Sequence, residues 1–146
     1  MVQGWSVQFF VTLDPIFAQW GECNLKSVVY QAKVYAENKV MNYFGSTERP
    51  FKKRYSEHTS SIRNRPNNHT TLSSYVWKLK DKGAPFEIIW SIKARGHTFS
   101  SGSRSCDLCL TEKLTILTED QYSMLNKRDE LLETCRHRRK HMLVSL

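Results

Sequence analysis

The chain has 146 residues, 40% of them apolar and 12% aromatic, which is about the usual size of one domain and enough for a single buried core. Lys and Arg outnumber Asp and Glu by 22 to 14, a formal charge of +8, which suits a polyanionic partner such as nucleic acid as readily as an ordinary basic surface. Four cysteines (Cys23, Cys106, Cys109 and Cys135) are too few for a secreted disulfide scaffold, no secretory leader pattern opens the chain, and the apolar stretch from Trp5 to Trp20 is short and broken by Asp14-Pro15. An intracellular setting without a membrane anchor is the expectation.

Residues 1–20 lack a helical period and read as a short strand or an irregular lead-in with no assigned chemistry, ahead of one domain over 21–146. The run from Lys26 to Val34 alternates and is β-branched, which predicts a strand, and Glu37-Asn38 predicts a turn into a second strand from Lys39 to Phe44. Ser46 or Thr47 as N-cap, Pro50 in the first turn, and Phe51, Tyr55 and His58 at helical spacing predict a helix from about Arg49 to Ile62. Lys52 and Lys53 fall on its solvent face. Arg63 to Asn68 reads as a polar loop, after which Thr70 or Thr71 caps a helix holding Leu72, Tyr75, Val76 and Leu79 and stopped by Gly83. Phe86 to Ile92 reads as a buried strand and His97 to Ser105 as a Ser- and Gly-rich loop.

A further helix is predicted from Cys106 to Leu117. Its apolar stripe runs through Cys106, Cys109, Leu110, Leu114 and Leu117, which leaves Glu112 on the opposite side, free to face a cleft. The last predicted helix begins near Asp120 and runs to about Met142, with Leu125, Leu131, Leu132 and Cys135 on its packing side. It ends in CRHRRKH, whose cations suit both a helix C-terminus and phosphate contact. Cys106-x-x-Cys109 with Cys135-x-His137 makes a four-ligand set suited to a tetrahedral structural zinc, although the same cysteines also fit as small apolar residues on packing faces. A zinc there would pin the Glu112 helix to the last helix.

One ordered set of fragments carries a resemblance: Val28-Val29-Tyr30, Tyr43-Phe44-Gly45, Arg54 and His58 within FKKRYSEH, Glu112 within CLTEKL, and Asn126 within MLNKR. The set resembles the motif order of GIY-YIG nucleases over about Cys23 to Leu143. With HTTLSSYVWKLKDKG, CDLCLTEKL and MLNKRDELLETCRHRRK, it is similar to the endonucleases of Penelope-like retroelements in particular. Val28-Val29 stands where the class name implies Gly-Ile, and Phe44 replaces the usual Ile. Phe17 stands near where such relatives carry a cysteine ahead of the position of Cys23, which counts against an upstream zinc site.

The resemblance implies an α+β fold, a small three-stranded, mostly antiparallel sheet flanked by helices, and metal-dependent hydrolysis of DNA phosphodiester bonds. It implies that Tyr30 helps deprotonate the attacking water, Tyr43 holds phosphate or water, Arg54 clamps the phosphate, and His58 moves a proton or contacts phosphate. Glu112 would hold Mg2+ or Mn2+, and Asn126 would help close the site. Lys52, Lys53, Arg63, Arg65, Arg136, Arg138, Arg139 and Lys140 are the candidate DNA contacts. A nuclear location is implied, as is an upstream reverse transcriptase in relatives for which 146 residues leave no room. The expectation is thus a detached endonuclease domain whose present-day activity is open. The alternative is a basic, non-catalytic nucleic-acid-binding module, stabilised by zinc.

Overall fold

The computed structural model describes residues 9–13, 24–67, 70–98, 106–126, 135, 137 and 141–144. Strands β1 (Phe9–Leu13), β2 (Val28–Ala36), β3 (Lys39–Thr47), β4 (Phe86–Thr98) and β5 (His141–Val144) form one sheet in the order β1-β4-β2-β3, with β5 also pairing β4. Helices α1 (Phe51–Arg63), α2 (Thr71–Lys82) and α3 (Asp107–Thr118) pack on it, giving the expected α+β class. Every strand pairing is antiparallel except β1 with β4. Three strands were expected and five are present among the described residues. The extra two are short edge strands that have no hairpin signal of their own and are recruited by the exposed ladder of long β4.

The β2–β3 hairpin forms as its sequence predicts. Glu37 and Asn38 both take positive φ, 53° and 61°, and Ala36 pairs with Lys39, the geometry of a two-residue primed turn that matches strand twist. Because side chains alternate along a strand, this register decides which residues share a face. Tyr30 lies opposite Gly45 and Ala32 opposite Tyr43, all toward α1 and α2; Val29 lies opposite Ser46 and Gln31 opposite Phe44, all toward α3. Between Val29 and Tyr30 the pairing to β4 shifts by one residue, leaving Lys93 as the extra residue of a bulge on β4.

The larger core lies under α1 and α2. Val28, Tyr30, Val34, Phe51, Leu72, Val76, Leu79, Ile88 and Trp90 are buried in one cluster, and each large side chain contributes roughly 1.5–3 kcal/mol by leaving water. Helix α1 starts at Phe51 with Pro50 in the N-cap place and no side-chain cap. The predicted caps Ser46 and Thr47 are held in the β3 ladder instead, and the Phe51 N–H is satisfied by the Leu25 carbonyl at 2.9 Å. The far end of α1 is closed from α2: Trp77 Nε1 donates to the Ser61 carbonyl at 2.8 Å and Lys80 Nζ to the Ile62 carbonyl at 2.6 Å. Helix α2 has Thr70 in a capping box with Ser73 and Gly83 in the left-handed conformation that ends it.

Two further expectations fail. His97 and Thr98 belong to β4 and not to a loop, because they pair with Met142 and His141. The helix expected from Asp120 to Met142 is replaced at both described ends: Gln121–Ser123 is a single 3-10 turn, Met124 bridges to Asn42, and His141–Val144 is a strand. Residues 127–134 of that span lie outside the described residues, as do Arg136, Arg138, Arg139, Lys140 and Cys23. Among the described residues, no helix is long and apolar enough to cross a membrane.

Candidate active site and metal cluster

The outer edge of β3 is where both faces of the sheet meet. Leu125 N–H donates to the Asn42 carbonyl at 2.7 Å. Two residues on, the Asn126 carboxamide accepts from Phe44 N–H at 2.7 Å and donates to the Phe44 carbonyl at 2.8 Å. A side chain here reproduces the pair of bonds that a neighbouring strand would make. Asn126 thus holds the edge strand in place one residue before Gly45. Gly45 is required for space: a Cβ there would collide with the Tyr30 ring and hydroxyl.

Over Gly45 the Tyr30 hydroxyl lies 2.8 Å from His58 Nε2, and Arg54 Nε donates to it at 3.1 Å. The guanidinium can only donate, and in the His58 tautomer that carries its hydrogen on Nδ1 the phenol's own proton is given to Nε2. Tyr43 meets the His58 ring edge-on with centroids 5.7 Å apart. Arg54 and His58 reach the same phenol because they lie one helical turn apart on α1. Arg54 NH1 also donates to Glu57 at 3.0 Å, and Glu57 is held from its other side by Arg49 at 2.7 and 2.8 Å. Neither Glu57 nor Arg49 was singled out from sequence. The three-residue spacing of Arg54 and Glu57 on one helix is the signal that could have found the first.

Burial governs the protonation of this cluster. Tyr30 is fully buried, and desolvation pushes its pKa up to about 12 despite the opposing pull of Arg54. His58 is brought down to about 3, first by burial and then by the Arg54 charge. Burial also works against the Arg54 charge, but Tyr30 and Glu57 outweigh it and keep the guanidinium firmly protonated. For Glu57, hydrogen bonds from Arg49 and Arg54 overcome desolvation and lower the pKa.

Glu112 approaches from the opposite face. Ser46 Oγ donates to its Oε2 at 2.5 Å, and its charge is close enough to disfavour ionisation of Tyr30. The sequence-based stripe on α3 holds at Cys106 and Cys109, which pack in the core, and fails beyond them: Leu110, Leu114 and Leu117 are about half exposed, while Leu108 and Ile116 are buried, with Glu112 midway between them on the side turned to the sheet. Four-residue spacing through Leu108, Glu112 and Ile116 sets the packed face, with a carboxylate in its middle. The structure thus brings Tyr30, Tyr43, Arg54 and His58 together directly, sets Glu112 beside them across the β3 edge, and places Asn126 in a supporting position.

Lys52 and Lys53 are exposed on α1, as are Arg63 and Arg65 at its end. Arg65 is already engaged, paired with Asp81 and stacked 4.6 Å from the Trp77 ring centre. On the α3 side, Cys106, Cys109, Cys135 and His137 present ligand atoms that all lie within 4.8 Å of one another, a cluster able to hold a metal ion such as zinc. No protein-family model, curated protein sequence or solved structure matches this chain.

Proposed function

We propose that the protein is a metal-dependent endonuclease of GIY-YIG type acting on DNA, derived from a Penelope-like retroelement and working in the nucleus. The observation that carries this reading is the contact of one phenol with both a guanidinium and an imidazole, beside a single carboxylate at a strand edge. Phosphodiester hydrolysis needs a proton acceptor for water, a cationic hold on the phosphate, and charge compensation at the reacting oxygens. Each task has a residue here.

Arg54 presents one edge to Tyr30 and another to the half-exposed Glu57. An incoming phosphate would displace that carboxylate and take the same donor, since the fork of arginine suits both. Burial, more than the Arg54 charge, holds His58 low, and a phosphate in the place of Glu57 exchanges one anion for another beside Arg54. In this reading Tyr30 relays a proton from water to His58 Nε2, so that His58 is the net acceptor and the relay requires its pKa to rise from about 3 when substrate binds. Tyr43 borders His58 and Arg54 and limits solvent there. Glu112, oriented by Ser46, would hold Mg2+ or Mn2+; one carboxylate is enough because Mg2+ keeps several of its waters. The bound ion would supply charge compensation and a more acidic water.

A second reading, a basic nucleic-acid-binding module without catalysis, is favoured by the complete burial of Tyr30 and the near-complete burial of His58. One experiment separates the two. Incubated with supercoiled plasmid and Mg2+ or Mn2+, the protein should produce nicked circles, and Glu112→Ala should abolish them. Equal nicking by both proteins would remove the assignment, and salt-dependent binding without metal-dependent cleavage would establish the module.

A further inference from the structure

We infer that Cys106, Cys109, Cys135 and His137 form a closed structural zinc site whose work is to fasten the helix carrying Glu112 to the segment that leads into β5. The metal site stands on geometry alone, and the purpose of its fastening, to hold Glu112, rests on the nuclease reading.

The geometry is that of four ligands around a point. Cys106 Sγ and Cys135 Sγ each lie 3.5 Å from His137 Nδ1, Cys109 Sγ lies 3.0 Å from it, and Cys109 Sγ lies 3.4 Å from Cys135 Sγ. Zinc bonds of roughly 2.3 Å to sulfur and 2.0–2.1 Å to nitrogen, set at tetrahedral angles, require sulfur–sulfur edges of roughly 3.8 Å and sulfur–nitrogen edges of roughly 3.6 Å. Relaxation by a few tenths of an ångström admits the ion. All three cysteines are free thiols. Three soft donors and one imidazole select zinc over the hard cations that a lone carboxylate would take, so this site and Glu112 do not compete.

The local backbone fits ligand duty. Cys106 is the N-cap of α3 and makes no capping hydrogen bond through its side chain, while Cys109 follows three residues later on the same side, where thiolates gain from the helix N-terminus. Across the cluster, the His137 backbone N–H donates to Cys135 Sγ at 3.1 Å, the kind of bond that stabilises a metal-bound thiolate. The His141 ring stands edge-on to His137 with centroids 6.0 Å apart and is almost fully buried, so the imidazole ligand is backed by structure. Three thiols and an imidazole packed this closely make a poor apolar core, whereas a cation would convert them into a clamp.

The need lies in α3 itself. Only Leu108 and Ile116 are buried along its 12 residues, while three of its leucines face outward. A helix so thinly packed is weakly held by hydrophobic contact, yet it must keep Glu112 against Ser46 at the β3 edge. Cys109 precedes Glu112 by three residues, so a metal bound there fixes the carboxylate to within one turn of a rigid point.

The test uses the whole chain and zinc alone. Purified protein should carry one zinc per chain and, after chelation, rebind Zn2+ or Co2+, the cobalt form showing thiolate-to-metal charge transfer and the visible bands of tetrahedral coordination. His137→Ala should lose most of the bound metal, and His137→Cys should retain it, because four thiolates satisfy the same ion. Chelation should raise hydrogen exchange in α3 and β5 and leave α1 and α2 unchanged. A chain without zinc, an octahedral cobalt spectrum, or equal metal in His137→Ala and wild type would overturn the site. Exchange that is unaffected by chelation would overturn its fastening role.

Discussion

The two sides of the sheet are built differently. Beneath α1 and α2, Trp90, Phe51, Tyr30 and a set of aliphatic side chains make a dense cluster into which the Tyr30–His58–Arg54 contacts are set. Beneath α3 the buried residues are few and fall into two small groups, with four sulfur and imidazole ligands where apolar atoms would otherwise be. One half of the candidate site is thus positioned by hydrophobic packing, and the half carrying the acidic residue by hydrogen bonds and ligand geometry.

The contrast can be broken at several points. Phe51→Ala should cost about 3–5 kcal/mol, measured by denaturant unfolding, because it empties a fully buried aromatic site next to Tyr30 and Trp90. A loss below about 1 kcal/mol would show that the α1–α2 side is not the main stabilising core. A smaller effect follows from His58, whose folded pKa of about 3 lies below its ordinary value of 6.5. The unfolded chain binds the proton first, so the stability is fully present above pH 6.5 and is lost as pH falls toward 3. By pH 5 the loss is on the order of 2 kcal/mol. Thermal unfolding from pH 7 to 5 should show that slope, and His58→Gln should flatten it; an unchanged slope would mean that other groups set the acid response. The least effect is expected on the other side, where Leu114→Lys should change stability by no more than about 0.5 kcal/mol because the side chain is half exposed. A large loss there would show that α3 is packed more firmly than its exposure indicates.

Much of the α1–α2 side was legible in advance because its signals are local. Hairpin turn residues, the Thr70 cap, the Gly83 stop and the helical spacing of Arg54 and His58 act within a few residues, and their physics survives in the folded chain. The α3 side was misread where hydrophobic periodicity was trusted alone. Leucines at 110, 114 and 117 outnumber the two buried residues, so the stripe method turned those leucines to the core, whereas Leu108, Glu112 and Ile116 are the residues turned to the sheet. Ser46 was taken for a helix cap when its strand register makes it the partner of Glu112.

Sequence by itself determined the α+β class, the hairpin, the positions of all three helices within a few residues, and which ligand-capable side chains exist. Tertiary structure decided the rest: β1 and β5 became strands only because β4 offers unpaired edges, and a predicted C-terminal helix gave way where Met124–Asn126 could dock on β3 and His141–Val144 on β4. Pairing between residues tens of positions apart leaves little trace in local composition, since its energy resides in backbone hydrogen bonds common to every residue type.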